Sequence, residues 1–343
     1  MLPSIAIAGS TGHLGQHIVS AVVSTQFAPR FSRVVLLSRT DPKKANLQNQ
    51  VPLSSAVIYE SEPSTATSTE EAATTRLSAG RTPVVHRQYN VNNLVEALQD
   101  VTVLVDAIGS EEGTDEFKDR LIRAAAHTPI NLYIPSEFGV DHYIHDFSHP
   151  MWDVKKAHFS LARSVLAPQK VNICRVFCGL FLEDSIGPWF GFDTRNGVYE
   201  SIGSAEKGIS FTALEDLGKT VAQLSGGDPT TTVPEVLHIG GDTRSMRQIA
   251  SCMTTSGGGK IEIREQRDVA AYRDRVVHAA SSDPAACIRF LMGEGKINHS
   301  SKGMGNDNNI VNPNQTLWKW KTMTALANDT GGRPWKDMEW SLT

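Results

Sequence analysis

The sequence lacks long apolar runs and an excess of positive charge. Its longest apolar runs, such as VTVLVDAIG at 101–109, end well short of the roughly 20 residues that span a bilayer. A net charge of −4 provides no basic surface for the phosphates of a nucleic acid. The N-terminal segment MLPSIAIAGSTG has no basic residue ahead of its apolar run, unlike a signal peptide. We therefore expect a cytoplasmic protein without a membrane or nucleic-acid partner.

Cysteines are few and form no recognisable motif. Cys174, Cys178, Cys252 and Cys287 are the four in the chain, and no two have the CxxC spacing. Free cysteines are usually small buried hydrophobic groups. We expect that role for all four.

The first half of the chain alternates short β-rich runs with helical patterns. Strands separated by helices pair in parallel through crossovers, and the helices cover both faces of the sheet. The pattern predicts an α/β fold with a doubly wound parallel Rossmann sheet. The expected strands lie at 4–9, 33–39, 83–89, 101–109 and 130–136.

The organisation changes at two places along the chain. Residues 45–80 are rich in Ser, Thr, Ala and Glu, so we expect a mobile surface insertion, with a lid over a ligand as the alternative. After residue 170, one further strand is expected in VNICRVFCGLFL, followed by an aromatic, turn-rich stretch. We expect a Rossmann domain at 1–170 and a smaller substrate-binding lobe at 171–343, whose chain partly returns to the main sheet.

A glycine turn joins the first expected strand to the first helix. IAIAGSTGHLGQHI has the spacing GxxGxxG, at the βαβ position where backbone N–H groups meet the pyrophosphate of a dinucleotide. We expect nucleotide binding here, with a purely structural turn as the alternative. The expected contacts are Gly9, Thr11, Gly12, His13, Leu14 and Gly15 in this turn, with Ile108 and Gly109 at the end of the fourth strand.

The end of the second strand favours one dinucleotide over the other. An NAD site usually has an acidic residue there, whereas this chain has Arg39, with Lys43 and Lys44 beyond it. A guanidinium pairs with a 2′-phosphate in a forked geometry. The expected cofactor is therefore NADP(H), and a solvated Arg39 is the alternative.

The usual proton-transfer motif of short-chain dehydrogenases, Tyr-x-x-x-Lys, is missing, because none of the six tyrosines is followed four residues later by lysine. The chain instead resembles the NmrA-like group, which includes isoflavone reductases, phenylcoumaran benzylic ether reductases and pinoresinol reductases. The resemblance covers residues 4 to about 225 and rests on the glycine turn, Arg39, IPSEFGVD at 134–141, and Val154 with Lys155. It implies NADP(H)-dependent hydride transfer to small, often aromatic, metabolites.

Two adjacent lysines follow in MWDVKKAHF, and the resemblance implies that Lys155 is the catalytic acid or base. Helical phase places Lys155 near the edge of the apolar stripe and points Lys156 to solvent. A partly buried ammonium suits proton transfer or the stabilisation of negative charge on a substrate oxygen. Pairing of Lys155 with an acidic neighbour or a cofactor phosphate is the alternative. The expected stripe consists of Val154, Ala157, Leu161, Ala162, Val165 and Leu166.

The residues after the fifth expected strand are further candidates for cofactor contact. Ser136, Glu137 and Phe138 lie beyond its carboxyl end, where open α/β sheets bind ligands. The alternative is a turn fixed by Pro135 and Gly139.

Histidines are concentrated around the lysine pair. His142 lies in the loop VDHYIHDFSHPMW, which we expect to cover the active site, and His158 faces a side of the helix similar to that of Lys155. Both are candidate substrate contacts, although solvated histidines are the alternative. The spacing of His142, His145 and His149 fits no helix face, so no metal site is expected.

Aromatic residues after position 170 are candidates for a substrate pocket. Phe177 and Phe181 are expected to wall an apolar pocket for a ring-bearing substrate, together with Trp189, Phe190 and Phe192. Ordinary core packing is the alternative for all five.

Three functions remain open. The resemblance favours an NADPH-dependent reductase of secondary metabolism with a small-molecule substrate, acting as a monomer or homodimer. The histidine loop, the 45–80 insertion and the C-terminal third depart from the plant reductases, so their substrate specificity is not carried over. The alternatives are an NADP-binding isomerase or cyclase with transient or no net redox, and a nucleotide-sensing regulator without turnover.

Overall fold

The computed structural model describes most of the chain in two compact units. The described residues are 1–39, 55–60, 81–90, 92–111, 113–227, 233–279 and 283–338. Within these, the first unit comprises residues of Met1–Glu137, Val154–Arg175 and Leu217–Val236, and the second those of Phe138–Asp153, Val176–Asp216 and Leu237–Thr343. The domain boundary expected at residue 170 stays a prediction.

A parallel sheet forms the centre of the first unit. Its strands are β1 (Ser4–Ala8), β2 (Arg33–Ser38), β3 (Val57–Glu60), β4 (Thr82–Gln88), β5 (Val103–Asp106), β6 (Leu132–Ile134) and β7 (Asn172–Ile173). Across the described residues these seven strands follow the order β3-β4-β2-β1-β5-β6-β7, and neighbouring strands are parallel. The chain winds one way from β1 to β2 and the other way from β5 to β6, so the winding reverses between β1 and β5, where doubly wound folds bind ligands. The α/β Rossmann-like fold is confirmed.

Buried aliphatic side chains explain why these segments form central strands. All residues of β1, β5 and β6 are buried, which is the pattern of a parallel sheet covered on both faces. On one face, Val35 and Leu104 belong to a core cluster that also contains Leu121 and Leu166 from helices. The helices that contribute residues to this unit are α1 (His13–Val22), α2 (Leu94–Leu98), α3 (Thr114–Ala125), α4 (Pro150–Leu166) and α5 (Leu214–Ser225).

One short segment of the predicted insertion at 45–80 forms a strand, while the mobility of the insertion stays a prediction. Val57–Glu60 forms β3 and pairs in parallel with β4, with Val57 opposite Thr82. The remainder of the predicted insertion, apart from residues 55 and 56, lies outside the described residues. Four residues in a region of low apolar content give too little periodicity to predict an edge strand.

The second unit combines small sheets with helices around its own core. Among its described residues, one three-stranded sheet consists of β10 (Phe192–Asp193), β11 (Val198–Ile202) and β15 (Glu262–Gln266), and another consists of β9 (Leu180–Phe181), β12 (Ile209–Thr212) and β14 (Asp242–Arg244). Its core cluster contains Leu182, Phe211, Ile249 and Phe290, all fully buried. The remaining strands, β8 (Arg175–Phe177) and β13 (Val236–His238), pair with each other. The remaining helices are α6 (Met246–Met253), α7 (Val269–Val277), α8 (Ala285–Glu294), α9 (Asn308–Val311) and α10 (Met323–Asp329).

The single strand predicted at 171–182 is wrong, because this segment forms three short strands, β7, β8 and β9. Gly179 adopts a φ of +69°, and a Cβ there would lie 2.3 Å from the backbone oxygen of Ser210. The left-handed backbone at this glycine interrupts an otherwise continuous β pattern.

Two composition-based expectations can be compared with the structure. Cys174, Cys178 and Cys287 are buried, as predicted, while Cys252 is half-buried. Within the described part of the chain, none of the helices has both the length and the apolar character that a bilayer span requires.

Candidate cofactor and catalytic site

The glycine turn after β1 is shaped by close backbone contacts. Gly9 has a φ of +81°, and a Cβ on it would lie 2.6 Å from the backbone oxygen of Ala107. A Cβ on Gly15 would lie 1.9 Å from the backbone oxygen of Gly9. The first glycine therefore lets β1 approach the end of β5, and the third lets α1 pack directly on the turn.

The N-terminus of α1 has the features of an anion site. Gly12 occupies the N-cap position without a side-chain cap, and the first turn of the helix has no acidic residue. Backbone N–H groups of a first helical turn have no carbonyl partner within the helix and attract anions. Thr11, Gly12 and His13 are exposed, whereas Leu14 and Gly15 are buried. A pyrophosphate therefore fits this turn without displacing a protein carboxylate.

The carboxyl ends of β5 and β6 are tied together beside this turn. The amide of Ile108 donates to Asp106 Oδ1 over 2.9 Å, and the hydroxyl of Ser136 donates to the carbonyl oxygen of Ile108 over 2.8 Å. Gly109 is exposed, and a Cβ added to it would meet nothing within 4 Å. The structure thus brings Ile108, Gly109 and Ser136 together at the edge of the sheet where the glycine turn lies.

Arg39 follows the end of β2 and is exposed. Its charge acts on the nearby hydroxyl of Tyr89, a buried side chain whose ring stacks on Phe117 with centroids 4.8 Å apart. Burial raises the pKa of Tyr89 to about 12, and the Arg39 guanidinium opposes that rise. The position of Arg39 suits a contact with a ribose phosphate. Lys43, the other predicted basic contact, lies outside the described residues.

Lys155 is anchored at the end of β6. Its Nζ donates a hydrogen bond of 2.9 Å to the carbonyl oxygen of Glu137, whose own side chain is buried. Phe159, Ala162 and Leu166, all buried, follow Lys155 along α4 at spacings that keep them on one helix face. Lys155 therefore belongs to the buried stripe of α4 in this unit.

Two details of the predicted phase of α4 are wrong. Ala157, expected in the apolar stripe, is exposed, and Lys156, expected in solvent, is half-buried like Lys155. Exposure therefore does not distinguish the two lysines. The hydrogen bond from Lys155 to the Glu137 carbonyl identifies the one that lies at the end of β6.

Sequence reasoning missed a set of buried polar residues next to Lys155. Asp106, Lys118 and Tyr133 are each no more than 3% exposed, and the hydroxyl of Tyr133 hydrogen-bonds to the Asp106 carboxyl. Burial raises the pKa of Asp106, while the ammonium groups of Lys118 and Lys155 favour its ionised form. The only sequence signal was an aspartate directly after an apolar strand and a lysine in an amphipathic helix, and both patterns are common.

Burial is also the main influence on the pKa of Tyr133, the phenol in this set. It raises the pKa of Tyr133 well above its usual value, and the charges of Asp106 and Glu137 raise it further. Tyr133 is therefore a neutral hydrogen-bonding group across the physiological range. His158 lies on the same helix as Lys155, with Nε2 3.5 Å from Asp119 Oδ1, and its charge also acts on Asp106.

The predicted substrate contacts His142 and Phe177 are buried in the second unit. His142 is 1% exposed, stacks on Trp152 with centroids 6.3 Å apart, and meets Phe177 edge to face at 6.0 Å. Phe177 is fully buried and also stacks on His238. In this arrangement both rings belong to the core of the unit, and their assignment as substrate contacts stays a prediction.

Phe181 has a different environment. It lines an open cavity of about 320 Å³ in the second unit, together with Trp189 and Phe190. Phe192, the other predicted pocket residue, is fully buried and packs against Tyr199 instead. Phe138, predicted to contact the cofactor, lies in the second unit and also lines this cavity.

The described residues contain no group of three or more His, Cys, Asp or Glu side chains arranged to hold a metal ion. His142, His145 and His149 are each buried rather than solvated. His145 and His149 pack around Trp152, with ring centroids 4.7 Å and 4.8 Å from the indole. The loop that carries them is thus held by aromatic packing.

A parallel doubly wound sheet with a glycine turn at its winding reversal defines a Rossmann-like α/β protein. The sequence profile of the NmrA-like family matches residues 3–274, and the chain belongs to this family. The resemblance seen in the motifs is thereby confirmed.

Two curated proteins are similar to the chain over more than half of its length. An isoflavone reductase from Glycine max is 30% identical over 240 residues, which are 68% of this chain and 69% of that protein. An NmrA-like family domain-containing oxidoreductase from Gibberella moniliformis (strain M3125 / FGSC 7600) is 24% identical over 198 residues, which are 57% of this chain and 63% of that protein. The chain therefore spans less than two thirds of the second relative.

A solved structure confirms the fold over almost the whole chain. The complex of AtPrR2 with NADP+ and (+)pinoresinol superposes with a TM-score of 0.67 at 15% identity, covering 96% of this chain and 99% of that one. At this identity the likeness concerns the fold alone.

Proposed function

We propose that the chain is an NADP(H)-dependent reductase of the isoflavone reductase-like type, acting on a small aromatic natural-product substrate in secondary metabolism. NADPH supplies the hydride when it is bound. The chain's own residues bind and orient the cofactor and hold a cation where negative charge develops on the substrate. The observation that carries the proposal is the anchoring of the Lys155 ammonium to the Glu137 carbonyl, 2.9 Å away at the carboxyl end of β6.

The proposed cofactor contacts follow the edge of the sheet. The uncapped N-terminus of α1 would hold the pyrophosphate, and the Arg39 guanidinium would pair with the 2′-phosphate. Ile108 and Ser136, joined by a hydrogen bond, support the nicotinamide end. The complex of AtPrR2 with NADP+ is consistent with this assignment of the dinucleotide.

Lys155 is the proposed catalytic residue. Its ammonium donates a proton to the substrate oxygen or stabilises the charge on it. The Asp106 carboxyl and the Lys155 side chain interact electrostatically. Turnover is therefore expected to depend on Lys155 much more than cofactor binding does.

The test compares Lys155→Ala with Lys156→Ala, a matched control on the same helix with a similar half-buried side chain. Oxidation of NADPH is followed by its near-ultraviolet absorbance with a panel of aromatic ketones, quinones and benzylic ethers. Lys155→Ala is expected to lower kcat at least about a hundredfold, the range of general acid–base catalysis, while Lys156→Ala stays close to wild type. Both variants are expected to bind NADPH normally, and wild type to bind it more tightly than NADH.

Three outcomes would contradict parts of the proposal. Normal turnover in Lys155→Ala would remove that residue from the chemistry. Equal or tighter binding of NADH would exclude the 2′-phosphate site at Arg39. Product formed without net NADPH oxidation would replace reduction with a redox-neutral reaction.

A further inference from the structure

A cluster of titratable side chains joins the end of the sheet to two helices in the first unit. Core residues of the same helices, Leu121 and Ala162, share an apolar cluster with Leu104 of β5. Burying polar groups in such a core costs free energy, so their presence calls for a function. The cluster, called here the α3–α4 cluster, consists of Asp106 and Tyr133 from β5 and β6, Lys118 and Asp119 from α3, and Lys155 and His158 from α4.

Asp106 is the member of the α3–α4 cluster that connects the others. Tyr133 lies opposite Leu104 in the sheet, and Asp106 follows Leu104 by two residues, so both polar side chains lie on the same face. The Tyr133 hydroxyl hydrogen-bonds to the Asp106 carboxyl. The charges of Lys155 and His158 both act on that carboxyl. The catalytic candidate and the histidine are therefore coupled through one buried group.

The histidine links this buried group to the surface. Lys155 and His158 are three residues apart on α4 and are therefore neighbours on one helix face. Nε2 of His158 lies 3.5 Å from Oδ1 of Asp119. Only 11% of the His158 side chain is exposed, whereas 48% of the Asp119 side chain is. The imidazole thus stands next to a carboxylate that water reaches.

The groups have the chemistry of proton carriers. Burial raises the pKa of Asp106, and the ammonium of Lys118 opposes this rise. A carboxyl with a raised pKa takes up a proton more readily than a solvated one. An imidazole side chain in general gains and loses protons near neutral pH. Both kinds of group transfer protons efficiently when they lie close to the donor or acceptor.

We propose that His158 and Asp119 return protons from solvent to Lys155 by way of Asp106. This inference rests on the proposed function, because the route is needed only if Lys155 gives up a proton in each turnover. Reduction of a carbonyl leaves the electron pair of its C=O bond on oxygen, which takes a proton from Lys155 Nζ. The resulting neutral amine takes a proton from the carboxyl of Asp106, and the Asp106 carboxylate takes one from protonated His158. His158 then takes a proton from water beside Asp119, so one solvent proton is consumed per turnover.

His158→Ala separates the first turnover from those that follow. The first turnover uses the proton already on Lys155, whereas each later one needs the route. Stopped-flow absorbance should show about one equivalent of NADPH oxidised at the wild-type rate, followed by a steady-state rate at least about tenfold lower. Added imidazole should restore the steady-state rate of this variant, because a small base carries the proton that the side chain no longer carries. A merely structural role of His158 predicts no such rescue.

Two further variants and a control complete the kinetic test. His158→Gln keeps most of the side-chain volume but carries no proton, so it should show the same slow steady state without a response to imidazole. Asp119→Asn should lower the steady-state rate and leave the first turnover unchanged. His127→Ala, at an exposed histidine that follows α3, is the matched control and should behave like wild type. A wild-type steady-state rate in His158→Gln, or a slow rate in His158→Ala that imidazole does not restore, would overturn the proposal.

A measurement without cofactor or substrate separates the route from the proposed function. In protein labelled with ¹⁵N-lysine, NMR follows the exchange of the Lys155 ammonium protons with water. This exchange should be slower in His158→Ala than in wild type and unchanged in His127→Ala. Slower exchange in a protein that oxidises no NADPH would contradict the proposed function alone, whereas equal exchange rates in wild type and His158→Ala would overturn the route.

Discussion

Asp106 is a carboxyl group in a place where burial makes ionisation costly. Only 2% of the residue is exposed. It lies at the end of a central strand, and its carboxyl accepts a hydrogen bond from the amide N–H of Ile108. Buried charges persist when nearby groups of opposite sign and hydrogen-bond donors compensate them. Lys118 and Tyr133 provide this compensation, so the three side chains together hold the end of β5 in place.

Asp106→Asn tests that compensation. Asparagine keeps an oxygen for the Ile108 amide but leaves the buried charge of Lys118 without its carboxylate. We expect the free energy of unfolding to fall by about 1 to 3 kcal/mol, because the electrostatic interaction between Asp106 and Lys118 is lost and a buried polar group is left without compensation. Lys118→Met should destabilise similarly, and the double variant should recover much of the loss. Urea unfolding measures all three, and strictly additive losses would show that the two charges do not interact.

The helix α4 shows how far periodicity predicts a candidate site. The pattern placed Ala157 inside and Lys156 outside, and both placements are wrong, while the catalytic role of Lys155 stays a prediction. Which face of a helix is buried depends on the neighbours that cover it, and those neighbours are distant in sequence. By contrast, β1, β2, β4, β5 and β6 were predictable from their own apolar runs, whereas β3 was not, because its four residues lie in a region of low apolar content.

The loop after β5 allows a prediction about cofactor binding. Gly109→Ala introduces a Cβ that meets no protein atom within 4 Å, so the free energy of unfolding should change by less than about 0.5 kcal/mol. If the dinucleotide passes over this loop, the methyl group occupies its space, and the affinity for NADPH should fall at least about tenfold.

Gly15→Ala provides the contrast at the other glycine position. Its Cβ would lie 1.9 Å from the Gly9 backbone oxygen, so this variant should be destabilised even without cofactor. Thermal unfolding and NADPH titration separate the two effects. Wild-type NADPH affinity in Gly109→Ala would show that the cofactor does not approach Gly109.

At the scale of the whole molecule, the first unit is assembled from segments far apart in sequence. Leu217–Val236 belongs to it, and a Cβ on Gly218 would lie 2.3 Å from the backbone oxygen of His17. This close approach of α5 to α1 depends on a glycine beyond residue 170. A fragment ending at that residue would therefore lack a helix that packs on α1.

The pH dependence of stability is expected to report on His299 in the second unit. The residue is fully buried, its amide donates to Ser210 Oγ, and its Nδ1 bonds to the Ile239 carbonyl oxygen over 2.9 Å. Burial lowers the pKa of His299 from 6.5 to about 4, although the bond to the Ile239 carbonyl opposes this shift. The unfolded chain therefore binds a proton at His299 between pH 6.5 and about 4 that the folded chain does not.

Stability should consequently fall as the pH drops through that window, by up to about 3 kcal/mol from this histidine alone. His299→Asn keeps an N–H for the Ile239 carbonyl and removes the titrating group. The variant should be less stable than wild type at neutral pH, because a smaller side chain leaves a cavity, but its stability should depend less on pH above about 4. Urea unfolding at several pH values measures both slopes, and parallel curves would show that His299 titrates normally in the folded chain.

The carboxyl of Asp141, whose pKa is lowered by its hydrogen bond to His238 despite burial, loses its contribution only at lower pH, so the two groups are separable on the same curve.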